Sequence, residues 1–167
     1  MCVTAQWVEA VGVTAAAGIA AFAYYHQVLQ SRIMLWRDLQ KEWDHEFARE
    51  RKRSVGAYRS YGKLMHTDVQ AIMDFFETLA SLYFKHGVDR DLTKETFEYY
   101  FAGYFVAAKE WMDIQRKSDD GFYRKVFELA AEWASERSMP TKSDLSDFFN
   151  EESRFHRTMG EQIAGEQ

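Results

Sequence analysis

Proline and cysteine are almost absent from this chain. Its 167 residues include one proline, Pro140, and one cysteine, Cys2. Because proline breaks a helix interior, its scarcity leaves room for long helices. A lone cysteine excludes an intramolecular disulfide, and no C-x-x-C metal pair exists. No alternating apolar and polar pattern bounded by turn residues predicts a strand. Together with an aromatic content of 16%, these absences predict an all-α fold with a bulky core.

Catalytic motifs are lacking as well. We find no glycine-rich phosphate loop, no Ser/His/Asp spacing and no reactive cysteine motif. Glu42 and His45 match one half of a carboxylate-bridged di-metal signature, but the chain holds no second Glu-x-x-His pair. Such centres need two of these pairs, so His45, with Asp38, Asp44 and Glu46 close by, is predicted to lie on a solvated charged face. We therefore predict that the protein is not an enzyme and binds no metal.

Two further ionisable residues, His26 and Glu77, are candidates for a functional role. His26 lies beside Tyr25 in a predicted interfacial layer and could ligate a haem or chlorin brought by a partner, although a lone histidine there is more typical of an amphipathic anchor. Glu77 follows two phenylalanines on a largely apolar helix. We interpret it as a structural hydrogen bond or ion pair, for example to an arginine of the preceding helix. The sequence thus predicts no cofactor.

Charge is distributed unevenly along the chain. Residues 1–31 carry only Glu9, residues 32–63 carry nine basic against five acidic residues, and residues 64–167 carry twelve against twenty. A basic segment beside an apolar run, followed by an acidic body, favours a protein that sits next to a membrane. It argues against nucleic-acid binding, which would place the basic charge on the folded body.

The apolar run from Trp7 to Tyr25 has three interpretations: a transmembrane helix, a buried core helix and a signal peptide. A signal peptide is disfavoured because no Lys or Arg precedes Arg32. The flanks favour a span, with Trp7 at one end, Tyr24 and Tyr25 at the other, and basic residues on one side only. The sequence thus predicts a single-pass anchor in the inner (cytoplasmic) membrane, with the N-terminus outside and the body in the cytosol.

Small residues lie along one side of this helix. Gly12, Ala16 and Ala20 recur at four-residue intervals, a spacing that lets another helix approach closely in lipid. We interpret these three residues as a helix-packing face for other membrane subunits. The alternative is that alanine and glycine are simply common in membrane spans.

Beyond Tyr25 the helix becomes amphipathic and is predicted to continue unbroken to Phe47. A stripe of large apolar residues, the seam, consists of Leu29, Ile33, Trp36, Trp43 and Phe47. This stripe is predicted to pack on the body or on a partner helix. The run Arg49–Arg53 is interpreted as a solvated helix end, rather than as a contact with anionic lipid.

The remaining chain is predicted to form a small helical bundle. We predict breaks at Ser54–Gly56 and Ser60–Gly62, then helices from about Thr67 to Gly87, from Leu92 to Arg116 and from Gly121 to Glu136. The domain prediction is an anchor at 1–28, an outgoing helix and connector at 29–63, a body at 64–139 and a tail at 140–167. The tail is predicted to be an amphipathic helix, docked on the body or offered to a partner through Leu145, Phe148, Phe149 and Phe155.

Part of the chain resembles a known family. The residues that carry the resemblance are Ile72–Glu77, Leu79–Leu82, Gly87–Asp89, Leu92, Phe97 and Trp111. Over about Tyr25 to Trp133 they resemble a family of uncharacterised bacterial proteins that have an N-terminal membrane helix and a small cytosolic helical domain. The resemblance implies an anchored helical architecture and carries no reaction, cofactor or catalytic residue with it.

These observations predict a non-catalytic accessory or scaffold subunit of a larger membrane complex. It would contact other membrane subunits and the lipid bilayer, with no nucleic acid and no identified small-molecule substrate. The alternative is a membrane-tethered regulator or sensor that binds a soluble partner reversibly.

Overall fold

A computed structural model of the chain describes residues 3–64, 66–134, 139–141 and 143–165, with side chains for 14, 16–64, 66, 67, 69–134, 139–141 and 143–155. The described residues form six α-helices and one π-helical segment, and they contain no strand. The predicted all-α fold is thereby confirmed. The helices are α1 (Val3–Lys41), α2 (Ala48–Tyr61), α3 (His66–Phe84), α4 (Arg90–Arg116), α5 (Arg124–Ala134) and α6 (Leu145–Gly165), and the π segment is Glu42–Glu46.

The predicted long first helix exists, and it extends further than expected. After Lys41 it widens into the π segment, where the Phe47 N–H donates to the Glu42 carbonyl at 3.1 Å, and it then continues as α2. The predicted break at residues 54–56 is therefore wrong. Helix α2 ends instead at Gly62, which has a φ of 67°. That left-handed conformation suits glycine because it has no Cβ.

Local side-chain and backbone contacts define the ends of α3 and α4. Helix α3 stops where predicted, but the left-handed residue is His86, with a φ of 54°, and the Gly87 N–H donates to the Leu82 carbonyl at 2.8 Å. Asp89 caps α4 by accepting a hydrogen bond from the Leu92 N–H at 3.0 Å. Such caps satisfy amide groups that a helix leaves unpaired at its first turn.

A capping arrangement also precedes α6. The Asp144 carboxylate accepts hydrogen bonds from the Thr141 N–H and hydroxyl, both at 2.7 Å. The backbone hydrogen bond, followed by the hydroxyl one, lowers the pKa of Asp144. The Asp144 N–H also donates to the Thr141 carbonyl at 3.0 Å, so that these contacts close the turn that leads into α6.

The core is shared by all parts of the bundle. Helix α3 packs against α2, α4 and α5, while α6 lies against α2 and α4. The fully buried large side chains include Trp43, Ile72, Met73, Phe76, Leu79, Phe97, Phe101, Tyr104, Met112, Trp133 and Phe149. The predicted outgoing helix, body and tail thus contribute to one hydrophobic cluster.

The predicted membrane anchor lies largely within helix α1. Across the part of the chain that was described, no helix combines the length and the apolar character that a bilayer crossing requires. The predicted span at Trp7–Tyr25 is therefore not supported by the described residues, and its side chains from 7 to 13 lie outside them.

Candidate interaction surface

Helix α1 has a stretch, before residue 28, whose described side chains are exposed to solvent on every side. In residues 14–27, which we call the exposed α1 stretch, each described side chain is exposed to solvent. Four of them are large: Ile19 is 70% exposed, Phe22 65%, Tyr24 70% and Tyr25 61%. The stretch contains no Asp, Glu, Lys or Arg. A solvent-exposed helix normally carries charge on its outer face, so this stretch has the composition of a helix that is covered.

The predicted packing face lies partly in this stretch. Ala16 and Ala20, one helical turn apart, are both exposed. Gly12 and the predicted anchor Trp7 lie outside the residues whose side chains are described. The described part of this face is therefore open to a neighbour.

The other predicted anchors lie where α1 approaches the bundle. Tyr24 and Arg32 line a shallow depression together with His86 and Gly87 at the end of α3. The His26 ring packs edge-on against Phe22, with ring centroids 4.5 Å apart. Among the described residues no group of three metal-ligating side chains comes together. The ring contact of His26 with Phe22 is therefore a contact within helix α1.

Coverage of the seam increases along the helix. Leu29 is half-buried and Ile33 is 37% exposed. Trp36 is partly buried, and its indole N–H donates to the Thr96 hydroxyl at 3.3 Å. Trp43 is only 1% exposed. The seam therefore changes from an open face to a core element within about four turns, and the bundle packs directly against it.

Trp43 is the centre of an aromatic cluster. Its ring centroid lies 5.1 Å from that of Phe75 and 5.2 Å from that of Phe76. Phe47, the last seam residue, stacks on Trp43 at 6.3 Å. Aromatic pairs at such separations add to the stabilisation that burial provides. The π segment that carries Trp43 is thereby held between α3 and α4.

Arg51 is buried against this cluster. The prediction that Arg49–Arg53 forms a solvated helix end is wrong for Arg51, which is 0% exposed. Its Nε and Nη2 donate to the two carboxylate oxygens of Glu152 at 3.0 and 2.8 Å. Its Nη1 donates to the Trp43 carbonyl at 3.4 Å, and its guanidinium carbon lies 4.6 Å from the Trp43 ring centroid.

The surroundings of this pair explain how a charge is tolerated there. Burial lowers the pKa of Arg51, but the hydrogen bond and charge of Glu152 outweigh it, so the pKa is raised. The Tyr104 hydroxyl donates to Glu152 at 3.2 Å. Burial, with Glu152 next in importance, raises the pKa of Tyr104 well above its ordinary value. The guanidinium thus stays charged and the phenol neutral, an arrangement suited to holding helices together.

The predicted partner-docking tail is occupied within the chain. Leu145, Phe148 and Phe149 are 4%, 4% and 1% exposed, and the Phe149 ring stacks on Tyr58 of α2 at 4.3 Å. The Phe155 ring lies 5.2 Å from the Arg51 guanidinium. The notion of a docked tail therefore fits the structure: these tail side chains pack within the chain and are not left open to a partner.

Glu77 has a structural partner of a kind not foreseen. Its carboxylate accepts hydrogen bonds from the backbone N–H groups of Lys125 and Val126 at 3.2 and 2.9 Å. These amides lie in the first turn of α5, where a helix leaves donors unpaired and favours negative charge. The predicted structural role fits this geometry, but the partner is a helix terminus instead of an arginine.

Sequence reasoning missed the buried Arg51–Glu152 pair. A signal was present, because Arg51 follows Trp43 and Phe47 at four-residue intervals and so continues the same side of the helix. Glu152 similarly follows Phe148 and Phe149 on α6. A charged residue that extends an apolar stripe on each of two helices is the pattern that would have indicated the pair.

The chain was compared with protein-family models, with curated proteins and with solved structures, and none of them matches it. The resemblance to a family of anchored bacterial proteins therefore stays a prediction.

Proposed function

We propose that this protein is a non-catalytic accessory subunit of a membrane complex. Helix α1 packs against helices of other subunits within the bilayer, and the bundle covers the cytosolic side of the complex. The observation that carries the proposal is the exposed α1 stretch, which is uncharged and whose described side chains are all exposed. At about 1.5 Å per residue its 14 positions (residues 14–27) extend roughly 21 Å.

Physical chemistry favours a covered state for this stretch. Exposed apolar surface costs about 25 cal/mol per Å² relative to burial, and contiguous exposed apolar surface marks interaction sites. Ile19 and Phe22 alone present two large side chains to solvent. A partner or a bilayer that covers them would gain this free energy.

Neighbouring helices suit the stretch better than lipid alone. It is rich in alanine, and its described part falls short of the apolar character of an independent span. Small residues such as Ala16 and Ala20 let helices approach closely, so that van der Waals packing between helices stabilises them in a membrane. The proposal therefore places protein against this face and lipid against the opposite one.

The basic residues that follow give the orientation. Arg32, Arg37 and Lys41 come after the stretch, and no Lys or Arg precedes it. Positive residues are retained on the cytoplasmic side of a span. The N-terminus is accordingly proposed to lie outside the inner membrane and the bundle in the cytosol.

Site-specific photocrosslinking in cells tests the proposal. A photoreactive amino acid at position 20 should give crosslinks to another protein in the membrane fraction, and one at position 25, on the far side, should give mainly lipid adducts. A chain that fractionates without membranes and yields no protein crosslink at position 20 would overturn it.

A matched pair of substitutions sharpens the test. Ala16→Leu places a larger side chain on the small-residue face and should reduce co-purification with the partner. Ala21→Leu adds the same volume roughly 140° away around the helix and should leave co-purification unchanged. Equal effects of the two variants would contradict a specific packing face.

A further inference from the structure

A shallow depression of about 330 Å³ lies where α1 passes the end of α3. Two residues that follow α3, His86 and Gly87, form one side of it. The side that α1 contributes consists of Tyr24, Gln27, Val28, Ser31 and Arg32. Among the described residues that line it, none is acidic. We call this space the α1–α3 depression.

The polar side chains of this depression are mainly hydrogen-bond donors. The Arg32 guanidinium donates and cannot accept, and the His86 ring carries at least one N–H in either protonation state. The Tyr24 hydroxyl and the Gln27 amide can donate as well, while the Ser31 hydroxyl already donates to the Gln27 carbonyl at 2.9 Å. The depression therefore suits a ligand that carries negative charge and accepts several hydrogen bonds.

Arg32 has no carboxylate partner within the part of the chain that the structure describes. Its side chain is half-buried, and neither it nor the His86 side chain makes a hydrogen bond or ion pair with a described residue. Arg51 and Arg90, by contrast, each pair with a glutamate. A charge that is partly removed from water is costly unless it is paired. This is a second observation, independent of the composition of the lining, that points to an anion.

The position of the depression along α1 indicates where this anion comes from. Arg32 is the first Lys or Arg of the chain and comes five residues after the exposed α1 stretch ends at residue 27, which is about 7.5 Å along the helix. The polar headgroup layer on each side of a bilayer is roughly 5–8 Å thick. With the exposed α1 stretch in the hydrocarbon core, as the proposed function has it, Arg32 lies at the level of the headgroups.

The side of α1 on which Arg32 lies agrees with this position. Arg32 follows Tyr25 by seven residues, which is close to two full turns, so both lie on the same side of the helix. The proposed function places lipid on the side of Tyr25. A lipid whose acyl chains run beside Tyr25 therefore has its headgroup next to Arg32.

We propose that the α1–α3 depression binds the phosphate group of an anionic phospholipid, with the phosphate between Arg32 and His86. The guanidinium donates to two phosphate oxygens, a geometry that arginine is well suited to form, and the His86 ring N–H donates to a third contact. Basic pockets beside membrane helices bind anionic headgroups in the same way. No covalent step is involved. The site rests on the proposed membrane position of α1, and it does not depend on which subunits surround it.

Lipid binding to the purified full-length chain in dodecyl maltoside tests the proposal. Native mass spectrometry counts the lipids bound as phosphatidylglycerol or phosphatidylcholine is added. Phosphatidylglycerol should bind saturably and at lower concentration, because phosphatidylcholine has a phosphate but no net charge. Equal binding of the two lipids would overturn the anion site.

A soluble phosphate ester distinguishes a lipid from a free phosphate as the ligand. Glycerol 3-phosphate offers the same phosphate chemistry without acyl chains, so it should compete only weakly with phosphatidylglycerol. If it displaces the lipid at equal concentration, the acyl chains contribute nothing and the assignment to a phospholipid is overturned.

Matched variants place the lipid in the depression. Arg32→Gln should weaken phosphatidylglycerol binding about fivefold, the contribution of one basic residue near an anionic membrane. Arg37→Gln removes the same charge from an exposed position of α1 outside the lining and should bind as the natural chain does. Equal weakening in both variants would mean that general positive charge, and not the depression, attracts the lipid.

A second variant tests the other side of the depression. His86→Asn is compatible with the φ of 54° at this position, because asparagine adopts left-handed backbone more readily than most residues. Its shorter side chain should weaken the binding of phosphatidylglycerol. Unchanged affinity would overturn the role of His86.

The results separate this site from the proposed subunit role. Selective binding of phosphatidylglycerol, without protein crosslinks from position 20 in cells, would support the site and overturn the subunit role. Protein crosslinks from position 20, together with equal binding of the two lipids, would overturn the site alone.

Discussion

The guanidinium of Arg51 and the carboxylate of Glu152 form a bidentate pair inside the bundle, although 101 positions separate them in the sequence. Their side chains are 0% and 2% exposed. The desolvation of two charges offsets much of the attraction between them, so such a pair is weak evidence for net stability. Removing one partner is costly, because the other charge then remains buried and uncompensated. The pair therefore ties the position of α6 to that of α2.

This relationship predicts a non-additive pair of substitutions. Arg51→Met and Glu152→Met should each lower the free energy of unfolding by about 3–5 kcal/mol. The double variant should lose much less than the sum, since it buries no unpaired charge. Urea unfolding of the three variants measures the coupling. Additive losses would show that an uncompensated buried charge is not the reason that each single substitution is costly.

An exposed ion pair provides the control for this experiment. Lys109 and Asp113 are 49% and 46% exposed, and pairs of this kind contribute about 0–1 kcal/mol. Lys109→Met should therefore change the free energy of unfolding far less than Arg51→Met. Similar losses in the two variants would mean that burial does not set the cost.

A second prediction concerns the contribution of the buried Trp43 side chain to stability. Trp43→Ala should lower the free energy of unfolding by about 3–5 kcal/mol, as in other large-to-small core changes. Ile114→Ala is the control, because Ile114 is 55% exposed. Thermal and urea unfolding measure both.

Proteolysis gives an independent check on the packing around Trp43. The π segment and α2 belong to the same hydrophobic cluster as the other helices, so tryptic cleavage near Lys52 and Arg53 should not release a folded remainder. A stable fragment that begins near residue 54 would show that the bundle folds without Trp43.

Local signals in the sequence predicted most of the helices. Periodic apolar residues identified α3 and α4, and Gly62 marked the end of α2. A break at Ser54–Gly56 was wrongly predicted because serine and glycine often mark the ends of helices. Here Ser54 and Val55 are buried, and the tertiary packing they make keeps the helix intact through Gly56.

Long-range contacts could not be predicted in the same way. Helical periodicity gives the side of a helix on which Arg51 lies, but it does not identify the partner helix that covers it. The capping of α5 by Glu77 likewise depends on how α3 and α5 pack. Phe148 of α6 likewise lies close against Gly103 of α4, a contact that no local pattern encodes.

The Glu77 cap leads to a third prediction. Glu77→Ala removes both acceptors for the first turn of α5 and should lower the free energy of unfolding by about 1–2 kcal/mol, as for the loss of a helix cap. Hydrogen exchange at the Lys125 and Val126 amides should become faster. Glu95→Ala, at an exposed position on α4, should change neither quantity appreciably. Unaltered exchange in Glu77→Ala would contradict the capping role.

The last prediction concerns alkaline pH and Tyr123. Its hydroxyl donates to the Asp74 carboxylate at 2.5 Å, and burial, followed by this hydrogen bond, raises the pKa of Tyr123. An unfolded tyrosine loses its proton near a pH of about 10. Because the folded state holds the proton more tightly, its contribution to stability is complete below that pH and is lost as the pH rises through the folded pKa.

Tyr123→Phe should therefore make the free energy of unfolding fall less steeply between about pH 9 and 11.5. The free energy of unfolding of Tyr123→Phe should still fall as the pH rises, because burial also raises the pKa of Tyr99 and Tyr104. Tyr61→Phe is the matched control, since Tyr61 is 68% exposed. Urea unfolding at several pH values gives the slopes. If Tyr123→Phe and Tyr61→Phe lose stability at the same rate as the pH rises, folding does not raise the pKa of Tyr123.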